Sequence, residues 1–440
     1  MQSFVEVPNE GTVKLTNARA PSCFLDGTFP VDRDGVAALE LVLQVGRIAS
    51  IDPPQSSAEK PETATVDLRG GLVWPAFVEL HTHLDKGHIW PRAENPDGTF
   101  EGALEASAAD QEAGNWTADD LRRRMEFALK TAYAHGTRAI RTHLDSSEPQ
   151  FRTTWPVFAG LREEWTGRIE LQAVSLTSIE GFEPGFREDL VSTVKVIGGV
   201  FGAVTYMVPN LEANLRWMFE TASREGLDLD FHVDESLDPG AASLAVIAKT
   251  ALETGYQGKI VCGHCCSLSV QEGEEVKRTL DLVAKAGITI VSLPMCNLYL
   301  QDRSAGRTPR LRGTTLLHEI KALGIPIAIS SDNTRDPFYG YGDLDALEVF
   351  THATRIAHLD RPFADWPLAI TDTPAKAMGL EQSGRLQVGE AADLVLFNAR
   401  SYSELLSRPQ SDRAVLRAGK AIDRSLPDYR ELDDLFQVGV

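Results

Sequence analysis

The chain is predicted to be an α/β protein built on a (β/α)8 TIM barrel, and three observations predict it. Eight strand-like runs alternate with helical ones between about Leu72 and Gly379. Short β-type runs open and close the chain. Histidines and carboxylates follow the central runs at their C-terminal ends, where a barrel of this class gathers its catalytic groups.

The opening runs are Thr12–Asn17 and Leu39–Val45, the second followed by Gly46 and Ile48. Pro53–Thr65 carries three prolines and reads as a surface loop. The candidate barrel strands are Val73–His81, Ala139–Leu144, Ile169–Leu176, Gly199–Tyr206, Leu229–Val233, Ile260–Gly263, Ile288–Leu293 and Ile325–Ile329. Thr117–Ala134 shows what separates them. Thr117 can cap, Asp120 holds the capping-box position, and Leu121, Met125, Phe127, Leu129 and Ala132 supply an apolar face. At the far end come Leu394–Phe397 and Ala414–Leu416, before the turn residue Gly419. Pairing of the two ends would close the termini together in a small sheet. The expected divisions are 1–70, a barrel over 71–380, and 381–440.

Composition narrows the function classes. The 440 residues are 43% hydrophobic, enough for a packed core, and 24% charged. No window approaches the ~20 apolar residues of a membrane helix. Met1–Glu6 lacks the basic start and apolar stretch of a secretory signal, so the cytoplasm is the expected compartment. A net charge of -20 repels phosphate backbones and argues against a nucleic-acid partner, while leaving a neutral small substrate open. Five cysteines in a long chain argue against a disulfide framework. Cys262 and Cys265 make a lone CxxC, a poor zinc site without a second pair, and read as buried small hydrophobes.

His81 and His83 flank one residue at the end of the first barrel strand, so both imidazoles point the same way. Imidazole nitrogen suits zinc or iron. His232 ends the fifth strand, and Glu235 follows where the chain turns over the barrel top. A carboxylate there can take a proton from an activated water and return it to a leaving amine. His264 follows the sixth strand and Asp332 the eighth. Each has a plainer explanation: a core histidine, a hydrogen-bonded turn residue, a helix cap. Four such residues at four strand ends favour a common purpose. His143 ends the second strand, where supporting a ligand and simple packing are equally open. His88 lies in the first lid-like loop without an assigned role, and His135, His318, His352 and His358 read as structural.

The barrel region resembles the cytosine deaminase branch of the metal-dependent amidohydrolase superfamily. The matching segments are His81-Thr82-His83-Leu84-Asp85, Gly98-Thr99-Phe100-Glu101-Gly102, Arg141-Thr142-His143-Leu144-Asp145, His232-Val233-Asp234-Glu235, Gly263-His264, and Asp332 with Asp336-Pro337 behind it. The flanking strands and Ala392-Asp393-Leu394-Val395 fit that family's small β-sandwich. The resemblance implies one divalent metal, zinc or iron, on His81, His83, His232 and Asp332. It implies Glu235 as proton shuttle, and His264 with Asp332 orienting the attacking water. Relatives with two metals use a carboxylated lysine at the end of strand four, and Gly199–Pro209 contains no lysine. The implied reaction removes an exocyclic amino group from a small nitrogen heterocycle, with water as co-substrate. Homo-oligomers are common in the family.

The chain departs from cytosine deaminases in the residues that read the ring. Those enzymes use a glutamine after strand three, a second aspartate after the metal aspartate, and a nearby tryptophan. Ser178, Asn333 and Phe338 stand near those places here. Asn333 both donates and accepts where a carboxylate only accepts, and losing one matched hydrogen bond can reject a substrate strongly. The expected substrate is therefore isocytosine, a pterin or a purine rather than cytosine. Two other readings are cleavage of another C–N bond, in a cyclic amide or N-alkyl triazine, and a catalytically silent barrel. The full ligand set argues against the last.

Overall fold

Local chemistry accounts for the first strands. β1 (Thr12–Pro21) alternates buried with less buried positions, as a strand covered on one face does. It pairs antiparallel with β2 (Val36–Gln44), which pairs with β3 (Arg47–Asp52). β4 (Thr63–Asp67) and β5 (Leu72–Pro75) lie parallel to β1. From the other end of the chain, β14 (Leu394–Phe397) pairs antiparallel with β5, followed by β15 (Ala414–Arg417) and β16 (Lys420–Ala421). The two chain ends thus meet in one eight-stranded sheet. A second sheet facing it, as a sandwich requires, is not found among the described strands of that unit.

The computed structural model describes residues 3–54 and 63–436. Met1 and Gln2 of the N-terminal segment, and most of the polar Pro53–Thr65 loop, lie outside them. The chain forms two compact units. The first holds residues up to 78, 130–139 and 345–427. Trp74, fully buried, anchors its core in edge contacts with Phe24, Phe77, Phe350, Phe397 and Tyr402.

The second unit spans 79–129, 140–344 and the segment from 428. The α/β repeat runs through β6 (Phe77–Thr82), β7 (Thr137–Asp145), β8 (Glu170–Leu176), β9 (Phe201–Thr205), β10 (Leu229–Val233), β11 (Ile260–His264), β12 (Thr289–Ser292) and β13 (Ile327–Ile329). All five residues of β10 are buried, the signature of a parallel strand covered on both faces. Strands β9 to β13 pair parallel in sequence order, and β6, β7 and β8 form a second sheet. Parallel bridges Val174↔Val200 and Ser178↔Val204 link the β8 and β9 segments, and Thr82↔Asp332 links β6 to the residues after β13. The ladder is therefore not one closed ring of eight strands but two sheets touching at those bridges.

Two local expectations change. Val73–His81, read as one strand, is two, because the chain switches partners at Ala76: its N–H donates to Asp393 O, and that of Phe77 to Gly136 O. Thr117 does cap the helix Ala118–His135, accepting from Asp120 N at 3.2 Å. Asp120 completes no capping box; its carboxylate accepts instead from Arg92 and Arg124.

Candidate metal centre and active site

β6 carries His81 at its end, and His83 follows one residue beyond the strand. His232 comes from β10, and Asp332 from the segment after β13. The strand register brings all four together. His232 Nε2 lies 3.2 Å from the Nε2 atoms of both His81 and His83. Asp332 Oδ1 lies 3.5 Å from His81 Nε2 and 3.2 Å from His83 Nε2. Tetrahedral ligands at ~2.1 Å from one ion are separated by roughly 3.4 Å, so these four donor atoms fit around a divalent cation.

The burial of the cluster supports the same fit. His81 is 0% exposed and Asp332 1%, and neither Asp332 oxygen accepts a hydrogen bond. A buried carboxylate without hydrogen bonds is costly unless something binds it. Burial, reinforced by Lys86, pushes His83 down to about 4. Burial likewise holds His232 well below the usual histidine range. Both imidazoles are neutral at pH 7, the state that coordinates metal.

Packing behind these four side chains aims them. Asp332 has a φ of 66°, a left-handed backbone uncommon outside glycine. Its N–H donates to His81 O at 2.9 Å, and Thr82 Oγ1 donates to its carbonyl at 2.7 Å. Glu79, buried, accepts from Ser331 Oγ at 2.6 Å, from Ser331 N and from His81 N. One carboxylate thereby ties the segments bearing His81 and Asp332. Gly263 is required beside them: a Cβ there would stand 2.8 Å from the His81 ring.

Glu235 and His264 share a bracket that spacing does not reveal. Asn297, in the helix Pro294–Leu300, places its amide nitrogen 3.0 Å from Glu235 Oε1 and 3.0 Å from His264 Nδ1. An amide N–H2 has two hydrogens, so it can donate to both. His264 then accepts at Nδ1 and carries its proton on Nε2, a buried atom with no protein partner. Burial, with Asp332 adding to it, raises the Glu235 carboxyl well above the usual carboxylate range. A raised carboxyl holds a proton more readily than an exposed one, which suits a group that must return a proton as well as accept it.

A cavity of about 490 Å³ opens over these groups. His83, His232, Glu235, His264 and Asp332 line it, and Phe100 and Phe338 contribute apolar wall. The helix Phe100–Glu112 starts where Thr99 Oγ1 accepts from Gly102 N, within the Gly98–Gly102 motif. Ser178, Asn333 and Phe338 all line the cavity as well. Ser178 Oγ is 2.7 Å from Tyr206 Oη, which donates to Glu180. The Asn333 amide is occupied at both ends: Nδ2 donates to Asp336 Oδ2 at 2.8 Å, and Oδ1 lies 3.5 Å from Cys296 Sγ. Phe338 packs with Ala103, Cys296 and Leu300.

Sequence reasoning missed several lining and supporting groups. Lys86 pairs with Asp145 at 2.7 Å on the cavity wall. The signal was present, since Lys86 directly follows one of the motifs that were singled out and Asp145 ends another. Asn297 and Glu79 gave no such signal. His143 is buried and its ring centroid lies 3.9 Å from that of His81; with Asp230 and His81 it forms a second group of possible ligands. His88 is buried and lines a separate cavity with Arg335 and Tyr429. Cys262 and Cys265 are buried and reduced, in no metal-donor group among the described residues. No helix among the described residues is long and apolar enough to cross a membrane.

The amidohydrolase family profile matches residues 64–122 and 117–422. The chain is 52% identical over 432 residues to a pterin deaminase of Rhizobium rhizogenes, covering 98% of each. It is 25% identical to an N-isopropylammelide isopropyl amidohydrolase of a Pseudomonas species, covering 86% of this chain and 91% of the relative. The crystal structure of 5-methylcytosine deaminase from Klebsiella pneumoniae with 5-fluorocytosine is similar at a TM-score of 0.80 and 25% identity, covering 94% and 98% of the two chains.

Proposed function

The chain belongs to the amidohydrolase family, and on that premise we propose that it is a hydrolytic deaminase of pterin-type rings. It is a deaminase acting on a heterocycle, a hydrolase of C–N bonds. The pterin assignment rests on the relative at 52% identity, and it agrees with the departure at Ser178, Asn333 and Phe338 from a cytosine-reading pocket. One observation carries the chemistry: three imidazoles and a carboxylate converge on a single point beside Glu235, under a cavity of about 490 Å³. That size falls within the roughly 300–1,000 Å³ of small-molecule sites.

We read the eight central strands as one (β/α)8 barrel, supported by the bridges at both seams, with the terminal strands as a small β-domain of one sheet. His81, His83, His232 and Asp332 would hold one divalent cation, zinc or iron. Bound there, the cation supplies Lewis-acid activation of water. Glu235 takes a proton from the attacking water. Oxygen adds to the ring carbon bearing the amine, and Glu235 returns the proton to the nitrogen, so that the C–N bond breaks and ammonia leaves. His264, held by Asn297, offers its Nε2 proton to orient the attack. Phe338 covers a ring face, Ser178 meets a polar ring edge, and Asn333 shapes the wall through Asp336. The reading keeps a cytoplasmic enzyme, without a nucleic-acid partner, that acts on a small heterocycle and water.

The test is ammonia release from pterin, isocytosine, guanine, cytosine and N-alkyl triazines by the zinc- and iron-loaded protein, with product masses. Pterin should be turned over fastest, with its amino group exchanged for oxygen. Faster turnover of cytosine, or release of an alkylamine from a triazine, contradicts the assignment.

A further inference from the structure

Lys86 lies in the segment that leaves β6, and its side chain is buried on the wall of the catalytic cavity with His83, Glu235 and Asp332. Its Nζ is 2.7 Å from Asp145 Oδ1 and 5.1 Å from the centroid of the Phe338 ring. Asp145 is itself held, because its N–H donates to the buried Asp85 carboxylate at 2.6 Å. Burial alone would lower the Lys86 ammonium, but Asp145 and Asp85 hold it above the usual lysine range. Among the described residues that line this cavity, Lys86 is the only lysine or arginine. An ammonium has three N–H bonds, and one carboxylate oxygen engages one of them. A heterocycle lying on Phe338 puts a ring edge beside the others.

Deamination leaves one charge without a partner in the steps above. As oxygen adds to the ring carbon bearing the amine, an electron pair of the ring C–N double bond moves onto the ring nitrogen. Glu235 carries the proton and His264 directs the water. The Ser178 hydroxyl is engaged by Tyr206, and the Asn333 amide is occupied at both ends. We propose that Lys86 is a further catalytic residue, whose ammonium donates a hydrogen bond to the ring atom on which that pair collects, with Asp145 as its positioning residue. The role rests on the deaminase reading. Lys86 keeps its proton throughout. The pair returns to the ring double bond as the exocyclic C–N bond breaks, and the proton that leaves with ammonia comes from Glu235. A fixed donor aimed at developing charge is worth about 100–1,000-fold in rate.

The experiment measures ammonia release from pterin by full-length, zinc-loaded protein, with bound zinc counted in each variant. Lys86→Met should keep one equivalent of zinc and lose about 100-fold or more in kcat, with a far smaller change in KM. Lys86→Ala leaves room for a small amine, and it should regain activity with added ethylammonium but not with ethanol, which matches it in size without the charge. Asp145→Asn should fall between the native protein and Lys86→Met, and ethylammonium should not restore it. A kcat of Lys86→Met within about threefold of native overturns the role. So does a Lys86→Ala protein that ethylammonium fails to restore, or that ethanol restores equally, since packing would then account for the loss. Native protein that releases ammonia from no ring removes the deaminase reading and this role together. Active native protein with equally active Lys86 variants removes the role alone.

Discussion

Asp332 and Asp345 are both buried carboxylates, 1% and 8% exposed, in different units of the molecule. Asp345 is satisfied on all sides. Arg413 donates to its two oxygens at 2.8 and 2.6 Å, and Leu347 N donates to Oδ1. Arg413 in turn donates to His135 O and Gln410 O. Asp332 has imidazoles around it and no hydrogen bond to either oxygen. Equal burial therefore serves two ends. A bidentate arginine makes a structural strut that needs nothing further, whereas converging donors without hydrogens between them leave a place for a cation.

The comparison breaks most visibly at Asp332. Asp332→Asn should lose bound metal and several orders of magnitude in turnover, while the denaturation midpoint of the metal-free protein stays level or rises, because a buried charge unsatisfied without metal has gone. A marked loss of stability with metal retained would put Asp332 in the same class as Asp345. The reciprocal change, Asp345→Asn, should leave bound metal unaltered and cost about 3–5 kcal/mol in urea unfolding, since it strands a buried guanidinium. Replacing Arg413 by Met together with Asp345 by Leu should recover most of that loss.

These assignments also show what was legible beforehand. His81, His83, His232, Glu235, His264 and Asp332 stood out because each lies at or just past the end of a strand whose apolar run is readable, and strand ends share one face of an α/β repeat. Leu229–Val233 and Leu394–Phe397 have the bounds expected from their apolar runs. Asn297 and Glu79 were not legible. Glu79 sits inside a buried strand, where a lone carboxylate signals nothing until Ser331 is seen opposite it. Asn297 acts through a short helix that carries no period to read. The split of Val73–His81 was hidden for a related reason: partner exchange at Ala76 depends on β14, over three hundred residues away in sequence, and on the distant Gly136.

Smaller effects sharpen the contrast. Glu79→Gln keeps a polar group of the same size but weakens the tie between the His81 and Asp332 segments. Metal affinity should fall roughly 10–100-fold, measured by competition with a chelator, with the fold intact. An unchanged affinity would remove Glu79 from the support of the site.

The smallest effect lies in the acid limb of stability. Burial alone would raise the Asp345 carboxyl, but Arg413, helped by His135, holds it well below the usual carboxylate range. A depressed carboxyl contributes stability that is present above its unfolded value of about 3.9 and is lost as pH falls through the folded value. Thermal midpoints taken from pH 7 down to 2 should therefore drop more steeply below about pH 4 in the native protein than in the Arg413→Met, Asp345→Leu double variant. Parallel curves would show that the pair contributes nothing to acid stability.

The central claim is that His81, His83, His232 and Asp332 hold one cation. Anomalous diffraction at the zinc edge, from crystals of protein loaded with a single equivalent, tests it directly. The account predicts one peak, within about 2.0–2.2 Å of three imidazole Nε2 atoms and an Asp332 oxygen. A peak lying instead among His81, His143 and Asp230, or no peak near Asp332, would contradict it.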